Sequence, residues 1–457
     1  MRPGLSVRGA VAAVRRRTPD ACLAETGAWS THDIAADFAA RFAGVPATSA
    51  QRPEPVVRYP VDGSRMPVLL GLYGSEERVH GWLPGLPDSS TVDSVAKLLS
   101  NVVSPERVAN PPCQQVVRRR VDLRTLPALQ TTARDAGPYL TLGMVHAREA
   151  DRTALSVHRM LVLDETHIAL WMVPGRALRA MHESAGRLPV SVSIGAPPAA
   201  VLASALSTAV LPAGVGKLDV AGALAGGPVG IAAGVSQPVD VLAESEIVLE
   251  GYLDGTVADE TLNGSLGVSL PEFLGYDGSA LPDLPVLTVT AVTTRRNPMY
   301  QAVIGPGREQ SVILGLAGAL SVALTGDDED WRMIADLHFA AAGGGMLLLN
   351  VAVRKDSARA DGRLRHIARR IFERHTFVKL IVFTDPDVDI RSAEDVWWAV
   401  TTRANLGVDC GTLPSPRRLT MDPSQGPGWR GDGGTGRTFV DATVPYRLRD
   451  RTMRSFR

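Results

Sequence analysis

From Glu246 to Tyr276 the chain reads EIVLEGYLDGTVADETLNGSLGVSLPEFLGY: a buried strand, a long Gly-rich excursion carrying Asp254, Asp259 and Glu260, and then Glu272 ahead of Gly275-Tyr276. A carboxylate on a loop that closes back toward a core is placed to move protons, because partial burial lifts its pKa toward working pH. A cationic partner is supplied elsewhere by Arg159 in SVHRMLVLD. Its planar guanidinium holds a carboxylate through two parallel hydrogen bonds and stays charged at every working pH. Proton transfer beside a fixed cation is the chemistry this pairing allows.

Other chemistry-bearing residues are weaker candidates. GPGRE, Gly305 to Glu309, is a Gly-rich turn whose Arg308 can reach a phosphate, although such a turn is most often only a turn. His158 adjoins Arg159, so strand alternation sends it to the opposite face, away from catalysis. His146 and His182 lack partners at metal-ligand spacing and read as packed or surface histidines. TDPDVD has the acidic look of a Ca²⁺ loop but lacks the glycine and closing glutamate of an EF-hand, so no metal is expected there.

The elements that must position these residues fall into three stretches. Residues 1–105 read as a mixed α/β cap, with helical spacing over His32–Phe42 and a strand in Pro67–Tyr73. From 106 to 310 short β-rich runs separated by Gly and Pro follow one another: YLTLGMVHA, ALSVHRMLVLD, HIALWMV, PVSVSIGA, EIVLEGYL and LPVLTVTAVTT. Their spacing favours a barrel or sandwich, interrupted by a helix at Pro198–Leu206. From 311 to 457 the pattern alternates: a helix over Ser311–Leu324, a strand over Met346–Val353, a basic amphipathic helix over Ala358–Arg374, a strand over Lys379–Phe383 and a helix over Ala393–Thr402. That is the order of a layered α/β domain. Asp422–Arg437, rich in Gly and Asp, reads as a loop, and no internal repeat is visible.

Composition excludes several function classes. At 457 residues the chain is too long for one ordinary core and calls for two or three domains. Lys plus Arg, 48, equals Asp plus Glu, 48, so no bulk field draws the protein to nucleic acid or an anionic membrane. Aromatic residues are only 5%, too few for a base-stacking surface. Cys22, Cys113 and Cys410 are too scattered for a disulfide framework or a zinc motif, which favours a reducing, cytoplasmic setting. Arg15-Arg16-Arg17 is not followed by the apolar core of a signal peptide. The longest apolar stretch, Ala196–Val220, is broken by prolines and glycines and contains Lys217, which argues against a membrane span.

Taken in order, RRVDLRTLPALQTTARDAGPYLTLGMV, SVHRM, IGAPPAAVLAS, EIVLEG, LGY, KLIVFTDPDVDI and DVWWAVTTR resemble the UbiD family of prenylated-flavin-dependent decarboxylases over roughly residues 105–405. The resemblance implies an α/β (α+β) fold: an N-terminal α/β cap (1–105), a central split β-barrel that binds the flavin (106–310) and a C-terminal layered α/β domain with an oligomerisation tail (311–457). It implies non-oxidative decarboxylation of an α,β-unsaturated or aromatic carboxylic acid. The cofactor would be prenylated FMN, supplied by a flavin prenyltransferase, and the assembly a homodimer, although VPYRLRDRTMRSFR is shorter and more basic than a swapping helix. Arg159 matches the family arginine that orients the acid, and Glu272 the proton-transfer carboxylate. Ser204 and Arg308 are expected contacts of the cofactor.

The same resemblance exposes departures. The family's second glutamate falls at Gly267; Glu260 or Asp259 from the lengthened loop could reach in to replace it, or nothing does. The family binds the flavin phosphate through a divalent metal held by Asn, His and Glu. Those positions are Ala154, Arg176 (Gly175 with a one-residue shift) and Lys217. Two cations where ligands are expected imply direct phosphate binding without metal. Two other readings stay open at this point: a catalytically silent or repurposed relative, acting as partner subunit or in a cofactor-free reaction, and a shifted alignment.

Overall fold

The computed structural model describes every residue except 1, 43–53, 151, 263–267, 272–274, 306, 415–417, 420–421, 426–434, 453 and 455–457. Two compact units emerge. One comprises Met1–Leu86, Asn101–Thr208 and Pro212–Gln310; the other comprises Pro87–Ser100, Ala209–Leu211 and Ser311–Arg457.

Six antiparallel strands organise the first unit: β1 (Tyr139–Glu149), β2 (Arg152–Val162), β3 (His167–Leu170), β4 (Leu188–Ile194), β5 (Ile247–Ala258) and β6 (Leu284–Thr294). Their order is β5-β4-β1-β2-β3-β6, and β6 pairs back onto β5, closing a barrel. Closure leaves these strands no unpaired edge between them. The residues that alternate inward on β4, Leu188, Val190, Val192 and Ile194, join Ile247, Leu249, Leu253, Leu287 and Val289 in one buried core. Bulky aliphatic side chains at period two are what such an interior requires.

Helices α1 (Ala177–Ser184), α2 (Pro198–Ser204) and α3 (Lys217–Ala225) fill the connections between β3 and β5. Helix α2 starts on Pro198, whose missing N–H costs nothing at a helix start, and every one of its residues is buried. In the same unit, Val56–Tyr59 and Val68–Leu70 form a small sheet with Cys22–Ala24 and Tyr300–Gln301. Ser30 caps its helix Thr31–Arg41 by accepting from the Asp33 N–H.

The second unit carries a five-stranded sheet, ordered Ile334–Phe339, Leu348–Val353, Leu380–Thr384, Arg437–Ala442 and Cys410–Leu413, with the three central strands parallel. Its acidic turn is explained by one cation: Arg403 reaches Asp385 at 3.0 Å and Asp387 at 2.6 Å. Among the described residues no helix is long and apolar enough to cross a membrane.

Two elements differ from the sequence expectation. The strand beginning EIVLEGYL does not end at Leu253: DGTVA continues it, with Val257 opposite Pro285 and Ala258 opposite Leu284 after a register shift. The long partner strand β6 supplies the pairing that the local sequence does not advertise. The expected helix Ala358–Arg374 is a 3-10 turn, Ala358–Gly362, followed by an α-helix from Leu364. Gly362 lies where the helix would otherwise be continuous, and Asp361 is occupied, bonding Lys355 at 2.6 Å and the Tyr446 N–H at 3.2 Å.

Candidate active site

Arg159 lies on β2 with Leu161, on the face opposite Met160 and Val162, which point into the barrel core. On Arg159's side a smaller apolar cluster forms from Tyr139, Leu161, Ala169, Leu270 and Leu284. The segment between β5 and β6 folds over this cluster. It contributes a hairpin in which Val268–Pro271 pairs with Asp277–Ser279, Val268 facing Ser279 and Pro271 facing Asp277.

Arg159 ties the two hairpin strands together. Its Nη1 donates to Ser269 Oγ at 2.6 Å and its Nη2 to the Ser279 carbonyl at 3.0 Å. Gly278 makes the approach possible: a Cβ there would stand 2.5 Å from Ser269 Oγ and 2.9 Å from Arg159 Nη1. Arg134 holds the hairpin from another side through a forked pair to Asp277, 2.5 and 3.0 Å. The indole of Trp171 lies 5.6 Å from the Arg159 guanidinium carbon, within cation–π range.

Glu260 completes the arrangement. Its carboxylate, fully buried, accepts from Arg159 Nη2 at 3.3 Å, from the Tyr139 hydroxyl at 2.5 Å and from the Leu281 N–H at 3.1 Å. A buried carboxylate with three donors around it has its hydrogen-bonding capacity met inside the protein. Burial and the contact with Glu260 both push the Tyr139 phenol up, so Tyr139 remains a donor. Asp259 turns elsewhere, bonding the Thr261 N–H and hydroxyl at 2.8 and 2.5 Å. Of the two acids expected to substitute for the family glutamate, the one beside Arg159 is Glu260. Glu272 and Gly267 lie outside the described residues, although Pro271 and Gly275, which flank 272–274, are described.

The second group of candidates meets further along β2. Lys217 opens α3, and its ammonium donates to the carbonyls of Leu155 on β2, 2.9 Å, and Ser204 at the end of α2, 2.6 Å. Burial, reinforced by the charge of Arg176, pushes Lys217 down to about 8. Arg176 itself is the exposed N-cap of α1. Ser204 contributes its carbonyl; its hydroxyl is committed to Val201 O at 2.7 Å. Ala154 is a buried methyl in the barrel core. Arg308 has different company: its N–H donates to Glu54 at 2.7 Å and its charge faces Glu54 and Glu76.

His158 is buried opposite Arg159, as alternation requires. Nδ1 bonds the Trp171 carbonyl at 2.8 Å, so it carries the proton, and Nε2 accepts from Ser156 Oγ at 2.7 Å. Burial, with Lys217 nearby, pushes it down to about 4 and keeps it neutral. His146 is likewise buried and bonded to the Asp240 carbonyl. Tyr139, which bonds Glu260, is the residue of this cluster that motif spacing missed. Its signal would have been strand pairing, since it stands opposite Leu161, two residues past Arg159.

Two donor sets can be tested against the groups the fold suggests. Carbonyl-held Lys217 with Arg176 is suited to an anion such as a flavin phosphate. For a divalent metal the fit fails, because a methyl, a guanidinium and an ammonium supply no ligand. Among the described residues no group of three His, Cys, Asp or Glu is arranged to hold a metal ion.

Comparison with known proteins places this geometry in a lineage. Residues 106–309 match the 3-octaprenyl-4-hydroxybenzoate carboxy-lyase Rift-related domain of the UbiD family, and residues 317–442 match its C-terminal domain. Gallate decarboxylase of Lactiplantibacillus plantarum is 32% identical over 409 residues, covering 85% of this chain and 83% of the relative. Anhydromevalonate phosphate decarboxylase of Methanosarcina mazei is 29% identical over 406 residues, covering 85% and 87%. Among solved structures, apo 3,4-dihydroxybenzoic acid decarboxylase of Klebsiella pneumoniae superimposes with a TM-score of 0.88 at 30% identity, covering 99% of this chain and 96% of that one. HmfF of Pelotomaculum thermopropionicum, solved in complex with FMN, gives 0.82 at 26% identity, covering 99% and 97%. This chain belongs to the UbiD family of carboxy-lyases and has its α/β fold with a central barrel.

Proposed function

We propose that this protein is a non-oxidative decarboxylase of an aromatic or α,β-unsaturated carboxylic acid, with a prenylated flavin mononucleotide as cofactor. The observation that carries the reading is Arg159, fixed between Glu260 and the hairpin that brackets residues 272–274. Gallate and 3,4-dihydroxybenzoate, named for two of the relatives, make hydroxylated benzoates the first substrates to try.

When bound, the prenylated flavin supplies an electron sink for the carbon that loses carbon dioxide. The protein's own residues do the rest. Arg159 receives the substrate carboxylate beside Trp171, and Glu260 fixes the direction of the guanidinium. With three donors on it, Glu260 is committed to holding Arg159 in place. Glu272 is the residue we assign as proton donor to the product carbon, with Tyr139 holding Glu260 in place. Lys217 and Arg176 would hold the phosphate end of the cofactor. Leu155 and Arg159 stand four residues apart on β2, about 13 Å along the strand, which suits a cofactor with an anionic tail at one end and a reacting ring at the other.

The test is direct. The protein should be produced together with a flavin prenyltransferase and offered hydroxybenzoates and cinnamate-type acids, with carbon dioxide release measured. Flavin absorbance with turnover of at least one acid is the expected result. A colourless protein that stays inert with supplied prenylated flavin would instead favour a silent partner subunit, and a colourless protein that still releases carbon dioxide a cofactor-free reaction.

A further inference from the structure

Two backbone carbonyls aimed at one point form the kind of cage in which proteins hold cations. Here Leu155 O and Ser204 O, from a strand and from a helix end, converge on a point filled by the protein's own Lys217 ammonium. Among the described residues no carboxylate pairs with that ammonium; the charge that influences it is another cation, Arg176. A partly buried lysine held by neutral acceptors, with a guanidinium as its charged influence, is an uncompensated positive site, and such a site is stabilised by an anion. The neighbouring His158 is neutral and adds no charge, while Ser156 spends its proton on His158 and Ser204 spends its own on Val201.

We propose that Lys217 is a built-in counter-ion: with Arg176 it binds the phosphate of a flavin mononucleotide directly, in the role a divalent metal plays in the wider family. The inference rests on the reading of this site as a flavin site and goes beyond it by removing the metal. Its two carbonyl bonds fix the ammonium in position, so Lys217 arrives pre-organised as a bound metal would. Arg176, at the exposed N-cap of α1, adds the bidentate half of the grip.

The experiment compares FMN with riboflavin, which lacks the phosphate, by flavin fluorescence quenching on the full chain. Each is titrated in EDTA and again with added Mn²⁺, and the metal content of the flavin-loaded protein is measured by mass spectrometry. The expected result is FMN bound at least tenfold tighter than riboflavin in EDTA, no change on adding Mn²⁺, and no stoichiometric divalent metal. Lys217→Met and Arg176→Met should each reduce the FMN-to-riboflavin ratio while leaving riboflavin affinity unchanged, a selectivity that general loosening of the fold would not produce. A ratio that collapses in EDTA and returns with Mn²⁺ overturns the inference while leaving the flavin reading intact. Equal affinity for the two flavins overturns the phosphate site. Binding of neither flavin overturns both readings. If Lys217→Met fails to fold, the exposed Arg176→Met variant and the chelator series on the unaltered protein decide the question.

Discussion

Gly278 and Arg159 are in contact that only a missing side chain permits, with the position of a Cβ on Gly278 standing 2.9 Å from Arg159 Nη1. A methyl group there must push away Ser269, the Leu270 carbonyl or the guanidinium itself, since all three lie within 3 Å. Gly278→Ala should therefore displace the hairpin from Arg159 while leaving the barrel unaltered. Decarboxylation should fall about 100-fold, the scale expected when a positioned group moves by an ångström. Steady-state kinetics beside a thermal melt will separate the two effects: lost rate with an unchanged melt supports the geometry, and full activity contradicts it.

Glu260→Gln removes the anion that orients Arg159 and leaves a guanidinium without its buried counter-charge. Turnover should fall by roughly 10²–10³-fold, the range for losing one preorganised electrostatic contact. Tyr139→Phe removes only the 2.5 Å bond. It should cost about 1.5–3 kcal/mol of stability, the value of a hydrogen bond to a charged group, and a smaller share of the rate. Because Glu260 is assigned to orienting Arg159 and Glu272 to proton donation, the Glu260→Gln variant should keep the acid-to-base shape of the pH–rate profile, whereas Glu272→Gln should abolish the limb that reports the proton donor. A profile that loses that limb in Glu260→Gln would reverse the two assignments.

The barrel was legible in the sequence because its strands carry the alternation that an interior demands. The run PVSVSIGA is the plainest case, and Leu188–Ile194 is a strand. What the sequence withheld was register. A bulge between Leu140 and Gly143 decides that Tyr139 stands opposite Leu161, and hence beside the arginine and the loop acid. Local spacing carries no information about which residues on separate strands will meet. Glu260 and Asp259 were equally plausible neighbours by sequence. The difference between them is a short turn in which Asp259 caps Thr261, leaving Glu260 to face inward.

Lys217 gives a pH signature for the proposed phosphate grip. Burial first, and Arg176 second, push it down to about 8. Above that value it sheds its charge while a phosphate, with a second pKa of about 6, remains doubly anionic. The preference for FMN over riboflavin should rise as the phosphate takes its second charge at about pH 6, level off toward pH 8, and decline from about pH 8 to about pH 10. The decline should vanish in Lys217→Met. A preference that is level through pH 10 in the unaltered protein would exclude Lys217 as a charged contact.

A second pH effect concerns stability. Glu309 accepts the N–H groups of Gly71 at 2.7 Å and Tyr73 at 2.9 Å, and Glu54 accepts that of Arg308. Burial dominates both and pushes them up, Glu54 to about 7 and Glu309 to about 8, with Glu54 adding to the rise in Glu309. A carboxyl raised in the folded state holds a proton that the unfolded chain has lost. Its stabilising contribution is complete below the ordinary carboxylate value and disappears as pH rises through 7 to 8. Thermal melts should therefore fall between about pH 5 and pH 8.5, and Glu309→Ala, which orphans two buried amides, should cost about 1–3 kcal/mol per amide at every pH.

Ala258 and Leu284 are partners across β5 and β6, so the excursion between them begins and ends on adjacent rungs of one ladder. Lengthening such a segment adds only about 0.6 kcal/mol of closure entropy per doubling, and the barrel need not register the change. Arg159 is anchored in the wall, whereas Glu260, which meets it, rides on chain whose length is nearly free to drift. In this architecture the acid that partners a wall residue can change its place along the sequence without the fold having to be reinvented.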